Sequence, residues 1–218
     1  GLYIQGSISP ILSLPLIQNV MIENNQYLIV TTEPGNQRSF FYLVEDESSR
    51  PRLITSLPYS KSYKIVENFN GFILIYDTDN QILYLIDTNS VTAVVESLYG
   101  VKNWSWSNSH TSLLVNTDFE VVIYHLNDRL DQELLVRLSE IIHDSEWHPN
   151  EGHVFYSTEK GLYLVERDSR DRKNIYTLSE EQNAPTILGA NANGSSIDYL
   201  VNEGNSGSVI KHLNLRDN

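Results

Sequence analysis

Three histidines at five-residue intervals, His143, His148 and His153, stand with Asp144 and Glu146 beside them. Imidazoles and carboxylates of this kind ligate metals when their side chains converge. Here His148 falls in a predicted turn and His153 on the strand returning from it, so the three do not converge and no metal ligand is assigned. Asp77-Thr78-Asp79-Asn80 resembles the start of a calcium loop but lacks the glycine and distal glutamate of an EF-hand. Asp and Asn favour hairpin turns on their own account, which is the expected role of this run. Paired carboxylates could perform acid–base work on a glycosidic bond. Glu67, Asp144 and Glu146 fall on predicted inner strands, although nothing in the sequence sets their separation. Trp104, Trp106 and Trp147 could form a platform for stacking sugars. Trp106 and Trp147 recur at the interval of a repeat, as packing between repeats would require. Trp104 is matched by Ser145 but shares a strand face with Trp106, so it too is expected in the core.

The remaining signals are weaker still. There is no G-x-S-x-G motif, and Gly204-Asn205-Ser206-Gly207-Ser208 reads as a plain turn. Asn103-Trp104-Ser105 and Asn193-Gly194-Ser195 are glycosylation sequons, and Asn103 lies within a predicted strand, a poor place for an acceptor. No catalytic residue and no cofactor are assigned. Trp104, Asp144, Glu146 and Glu67 remain as weak candidates for binding.

The elements that carry these residues repeat. Ile141 to Glu180 reads as four strands: Ile141–Trp147, His153–Thr158, Leu162–Glu166 and Asn174–Leu178. Between them lie the turns His148–Gly152 and Glu159–Gly161 and a charged turn, Arg167–Lys173. Pro, Asn and Gly supply the turn chemistry, and Val, Phe and Tyr the strand propensity. Four antiparallel strands in about 40 residues make one blade of a β-propeller. Val101–Glu140, Tyr63–Tyr99 and Val20–Leu57 repeat the pattern, and Tyr42, Tyr84, Tyr124 and Tyr163 mark the third strand of each copy. Ile17–Glu23, turned by Asn24-Asn25, opens the first copy. Leu130, Leu134, Leu135 and Leu138 stand at helical spacing, but the matching region of the next repeat is a strand, so a strand over Glu133–Leu138 is expected. Ala184–Asn218 is a fifth copy without a clear fourth strand.

The chain therefore reads as all-β: one propeller over residues 1–218, most simply of five blades at 17–58, 59–99, 100–140, 141–180 and 181–218. Residues 1–16 resemble the end of a blade, with strands at Gly1–Ile4 and Ile11–Leu16. The expectation is that this segment completes the last blade, because closure removes exposed sheet edges.

Composition bounds the function. The 218 residues carry 28 acidic and 15 basic side chains, a formal charge of −13 at pH 7. That balance disfavours nucleic-acid backbones and anionic membranes as partners. There is no cysteine, so disulfides and cysteine-based zinc sites are excluded. No apolar run reaches membrane-spanning length, so no direct membrane insertion is expected of this segment.

Ser145–Leu178, SEWHPNEGHVFYSTEKGLYLVERDSRDRKNIYTL, resembles the TolB-type, WD40-like (PD40) propeller repeat, in which a Trp-x-Pro turn ends the first strand and an LYLVD-like third strand follows. It looks closest to the propeller that follows the PEGA domain in bacterial surface proteins. LVRLSEIIHDSEWHPN and the run Arg167–Asn174 carry that closer likeness. Trp-x-Pro is intact only at Trp147-His148-Pro149, and the PEGA domain itself is absent. The resemblance implies a non-catalytic, extracytoplasmic or cell-surface module that binds a protein partner or assembles with itself. A glycan-binding or glycan-cleaving propeller is the alternative implied by the blade count, the tryptophans and the inner carboxylates.

Overall fold

The computed structural model describes residues 14–215 apart from 15, 34, 36, 47–48, 70, 91–92, 127–130, 169–172, 182 and 205–206. Nineteen strands are present among them. β1 (Ile17–Glu23), β2 (Gln26–Glu33), β3 (Arg38–Val44) and β4 (Arg52–Pro58) form the first sheet. β5 (Tyr63–Phe69), β6 (Phe72–Asp77), β7 (Ile82–Asp87) and β8 (Val94–Tyr99) form the second. β9 (Asn103–Trp106), β10 (Ser112–Asn116), β11 (Glu120–His125) and β12 (Asp131–Arg137) form the third. β13 (Ile142–Trp147), β14 (His153–Thr158), β15 (Gly161–Glu166) and β16 (Ile175–Glu180) form the fourth. β17 (Thr186–Ala190), β18 (Ser196–Asn202) and β19 (Ser208–Asn214) form the fifth. In every sheet the strands pair in chain order and antiparallel. The chain divides into two units, residues 1–100 with the first two sheets and residues 101–218 with the other three.

The turns follow from their residues. Asn24 (φ 47°) and Asn25 (φ 65°) form the two-residue loop between Glu23 and Gln26. Positive φ at both positions matches the twist of a hairpin, and Asn tolerates it better than most side chains. Thr158 pairs with Gly161 across Glu159-Lys160. Gly161 has φ 152°, and a Cβ there would sit 2.0 Å from the Ser179 carbonyl oxygen, so a side chain would force the third and fourth strands apart.

Central strands are apolar without interruption. Leu28-Ile29-Val30, Ile73-Leu74-Ile75, Leu113-Leu114-Val115 and Val154-Phe155-Tyr156 are all buried. In the first unit, Leu28, Val30, Phe41 and Leu57 of one sheet pack against Tyr63, Ile73, Ile75 and Tyr84 of the next. In the second unit, Leu114, Ile123 and Leu135 pack against Trp147, Val154 and Tyr156, and Phe155 and Leu162 pack against Ile197, Tyr199 and Val201. β18 differs. Its buried Ile197, Tyr199 and Val201 alternate with exposed Asp198 and Asn202, the pattern of a strand covered on one face within its unit.

The predicted strand over Glu133–Leu138 is β12, Asp131–Arg137, and no helix forms there. Leu135 is the extra residue of a bulge, since Val121 pairs with Val136 and Val122 with Leu134. The bulge lets Leu135 and Val136 both be buried while Leu134 stays exposed. The expected closing segment lies mostly outside the described residues, and the fifth sheet has three strands among those described. The Leu16 carbonyl accepts the Thr32 amide (3.0 Å), which continues the β1–β2 pairing. No helix among the described residues is long and apolar enough to cross a membrane.

Candidate functional site

Every first strand except β9 carries a bulge near its start: at Gln18, Val66, His143 and Leu188. The extra residue turns the next side chain toward the neighbouring sheet. Asn19, Glu67 and Asp144 occupy that next position. Asn103 holds the corresponding place on β9, opposite Asn116 as Asp144 is opposite Ser157.

Asp144 ties three sheets together. Its Oδ1 accepts from Asn103 Nδ2 on β9 (2.6 Å) and from the Ser145 amide (2.9 Å), and its Oδ2 accepts from the Ile187 amide on β17 (2.9 Å). Burial raises its pKa above the ordinary carboxylate value, and these three donors act against that rise. Glu146 lies two residues on, on the same side of β13, with Oε1 accepting the Trp147 amide (2.9 Å). Burial raises its pKa too. The Trp147 amide and the Ser105 side chain oppose the rise, while the charge of Asp144 adds to it. The structure thus brings Asp144 and Glu146 together. Both are engaged by donors of their own and neighbouring strands.

Glu67 follows the bulge of β5 and belongs to the first unit, where it holds the place in its sheet that Asp144 holds in the fourth. Trp104 is half-buried on β9 opposite Val115, on the face of Trp106 rather than that of Asn103 and Ser105. Trp147 is a core residue at 5% exposure. Its indole nitrogen donates to the Ser105 carbonyl (3.0 Å), and the Arg167 guanidinium lies 5.4 Å from its ring centroid. Arg167 also reaches Glu133 Oε2 (3.1 Å), and Lys173 donates to Glu133 Oε1 (2.6 Å). Burial alone would raise the Glu133 pKa, but the Lys173 and Arg167 contacts outweigh it and the net shift is downward.

The calcium-like run is a turn. Asp77 is buried; its Oδ1 accepts from Ser60 Oγ (2.8 Å) and the Asp79 and Asn80 amides (3.1 and 3.2 Å), and its Oδ2 from Asn80 Nδ2 (2.8 Å). Its oxygens serve the loop itself. His148 and His153 meet across their hairpin, with ring centroids 5.6 Å apart. His143 sits at the other end of β13, about 15 Å of strand away. Among the described residues no group of His, Asp and Glu could hold a metal ion. Of the two sequons, Asn103 is committed to Asp144, whereas Asn193 stands exposed in a turn.

A surface that the sequence reading missed lies at the hairpins following the first strands of the second unit. Ser109 donates through its amide (2.9 Å) and hydroxyl (3.1 Å) to Glu151, and Asn108 Nδ2 donates to the Pro149 carbonyl (3.2 Å). His148 Nε2 donates to the Gly194 carbonyl (3.2 Å). Hairpins 107–111, 148–152 and 191–195 thereby form one hydrogen-bonded ridge with Asn108, Ser109, Asn150 and Asn193 exposed. The available signal was the recurrence of Asn- and Ser-rich turns at the interval of the repeat.

No protein-family model matches the sequence, and no curated protein matches it. Solved structures do resemble the fold. The β-propeller domain of Cps50 (Swd1) from Myceliophteria thermophila is 18% identical with a TM-score of 0.52, over 68% of this chain and 53% of that one. Hsv2 of Kluyveromyces lactis is 12% identical with a TM-score of 0.48, over 92% and 61%. A functionally unknown protein from Desulfotomaculum acetoxidans is 11% identical with a TM-score of 0.49, over 93% and 70%. The chain thus spans less than two thirds of the length of the first two. The likeness to the Swd1 domain, together with the four-stranded sheets, shows a fold of the β-propeller type.

Proposed function

We propose that the chain is a non-enzymatic propeller module that binds a protein partner, or a further copy of itself, through the hairpin ridge of its second unit. The observation that carries this is the use made of the inner carboxylates. Asp144 spends both oxygens holding three sheets together, while the exposed amides and hydroxyls gather at the hairpins. The resemblance to TolB-type repeats and to bacterial surface propellers supports an extracytoplasmic or cell-surface setting. The acidic surface is consistent with it. The same reading includes a five-bladed ring whose last blade is completed by residues 1–16.

The absence of cysteine makes the test direct. A photo-crosslinker on Asn150→Cys, in the ridge, is compared with one on Lys160→Cys, at the opposite end of β14. Crosslinks to one defined protein from position 150, and none from 160, are the expected result. Equal labelling from both positions, or none from either, overturns the proposal.

A second reading, a glycan-binding or glycan-cleaving propeller, is favoured by the raised pKa values of Asp144 and Glu146 on one strand face. A hydrolysis screen decides it. Turnover abolished by Glu146→Gln would replace the first reading.

A further inference from the structure

The ridge has a cleft on one flank. About 750 Å³ opens where the fourth and fifth sheets diverge at the 148–152 and 191–195 hairpins, within the size range of small-ligand sites. Leu164, Leu178 and Leu213 form its floor and continue the core that Phe155 and Ile197 build below. Tyr176 stands on one wall, about half exposed. His148 and His153 form another, with the His148 ring packed 5.4 Å from Phe155. The rim carries Asn150, Asn193 and Asn214.

The wall is held in place by its own bonds. His148 accepts the Asn150 amide at Nδ1 (3.2 Å) and donates from Nε2 to Gly194 O (3.2 Å). Accepting at one nitrogen and donating at the other is the pattern of a neutral imidazole in a single tautomer. Gly194 lies directly against that ring: a Cβ there would come within 2.2 Å of His148 Cε1. The Leu215 amide donates to Ser195 O (2.7 Å), fixing the end of β19 to the other lip. The chain carries 28 acidic and 15 basic residues, yet no described residue lining the cleft is acidic or basic other than the two histidines.

We infer that this cleft binds a neutral oligosaccharide. A sugar presents an apolar C–H face and a rim of hydroxyls. The cleft offers a tyrosine ring and leucines for the first, and uncharged amide and imidazole groups for the second. An ionic ligand would find no opposite charge to offset its desolvation here. The cleft shares Asn150 and Asn193 with the ridge proposed for protein binding, but Tyr176 and the floor of Leu164, Leu178 and Leu213 lie outside that ridge, so loss of sugar binding by Tyr176→Ala is separable from loss of a protein partner.

The probe is an array of neutral gluco-, manno-, galacto- and chito-oligosaccharides beside sulfated and uronate-bearing ones. The parent protein is applied together with Tyr176→Ala and Asn193→Ala, whose positions are solvent-facing. Binding to a neutral series, weakened about tenfold or more by Tyr176→Ala and less by Asn193→Ala with melting unchanged, is the expected outcome. No neutral binding, a preference for the acidic glycans, or binding that both variants leave intact would overturn it. A peptide found seated in the cleft would overturn it as well.

Discussion

Asn19 and Asp144 stand at the same place in their sheets, and each does the same job with different chemistry. Asn19 Oδ1 accepts the Ile65 amide (3.1 Å), and Asp144 Oδ2 accepts the Ile187 amide (2.9 Å). In both cases the acceptor follows the bulge of one first strand, and the donor precedes the bulge of the next. A neutral amide suffices in the first unit. The second unit uses a carboxylate and bears the cost of burying its charge, which three donors offset only in part. The position is thus a joint between consecutive sheets, and an acid at such a joint is no sign of catalysis.

The largest effect is expected away from the joint, at the core residue beside it. Trp147→Ala removes a buried ring and leaves the Ser105 carbonyl without its donor. It should cost about 3–5 kcal/mol, read as a lowered denaturation midpoint. A variant that melts with the parent would remove Trp147 from the core. Asp144→Ala comes next, at about 2–3 kcal/mol, because the Ile187 amide and Asn103 side chain lose their acceptor. Asp144→Asn copies the Asn19 joint and should cost about 1 kcal/mol or less. A loss as large as that of alanine would show that the two joints are not equivalent.

The two joints should also differ in their response to pH. Burial raises the folded-state pKa of Asp144, so its contribution is fully present below the unfolded value of 3.8 and is lost as pH rises through the folded value. Asparagine does not titrate. The stability gap between the parent and Asp144→Asn should therefore be widest at low pH and narrow toward neutrality. A gap that widens with pH would mean that the charged form is the stabilising one. The smallest effect belongs to Glu133→Gln, at the partly buried junction with Arg167 and Lys173. Solvent screening limits it to about 0.5–1 kcal/mol, diminishing at high salt.

Much of the fold was legible because each repeat announces itself locally. Asn24-Asn25 gives a hairpin wherever it stands between strands, and Val154-Phe155-Tyr156 is apolar enough to need cover on both faces. Trp147 was readable as core because Trp106 recurs at the repeat interval. The joints were not legible, because they depend on pairing between residues far apart in sequence. Asn103 meets Asp144, and Asp144 meets Ile187, only once three sheets have formed. The strand over Glu133–Leu138 was legible from the repeat, but its bulge at Leu135 was not, since the register of a ladder depends on its partner strand. The leucine-floored cleft was hidden likewise, assembled from two hairpins and three strands that no motif links.

The decisive measurement is partner binding by the Asp144→Asn, Glu146→Gln double variant beside an Asn150→Arg variant of the ridge. Binding should be retained by the double variant and lost by the ridge variant. Binding lost with the carboxylates and kept with the altered ridge would contradict it, and would return the inner strands to the place of the functional site.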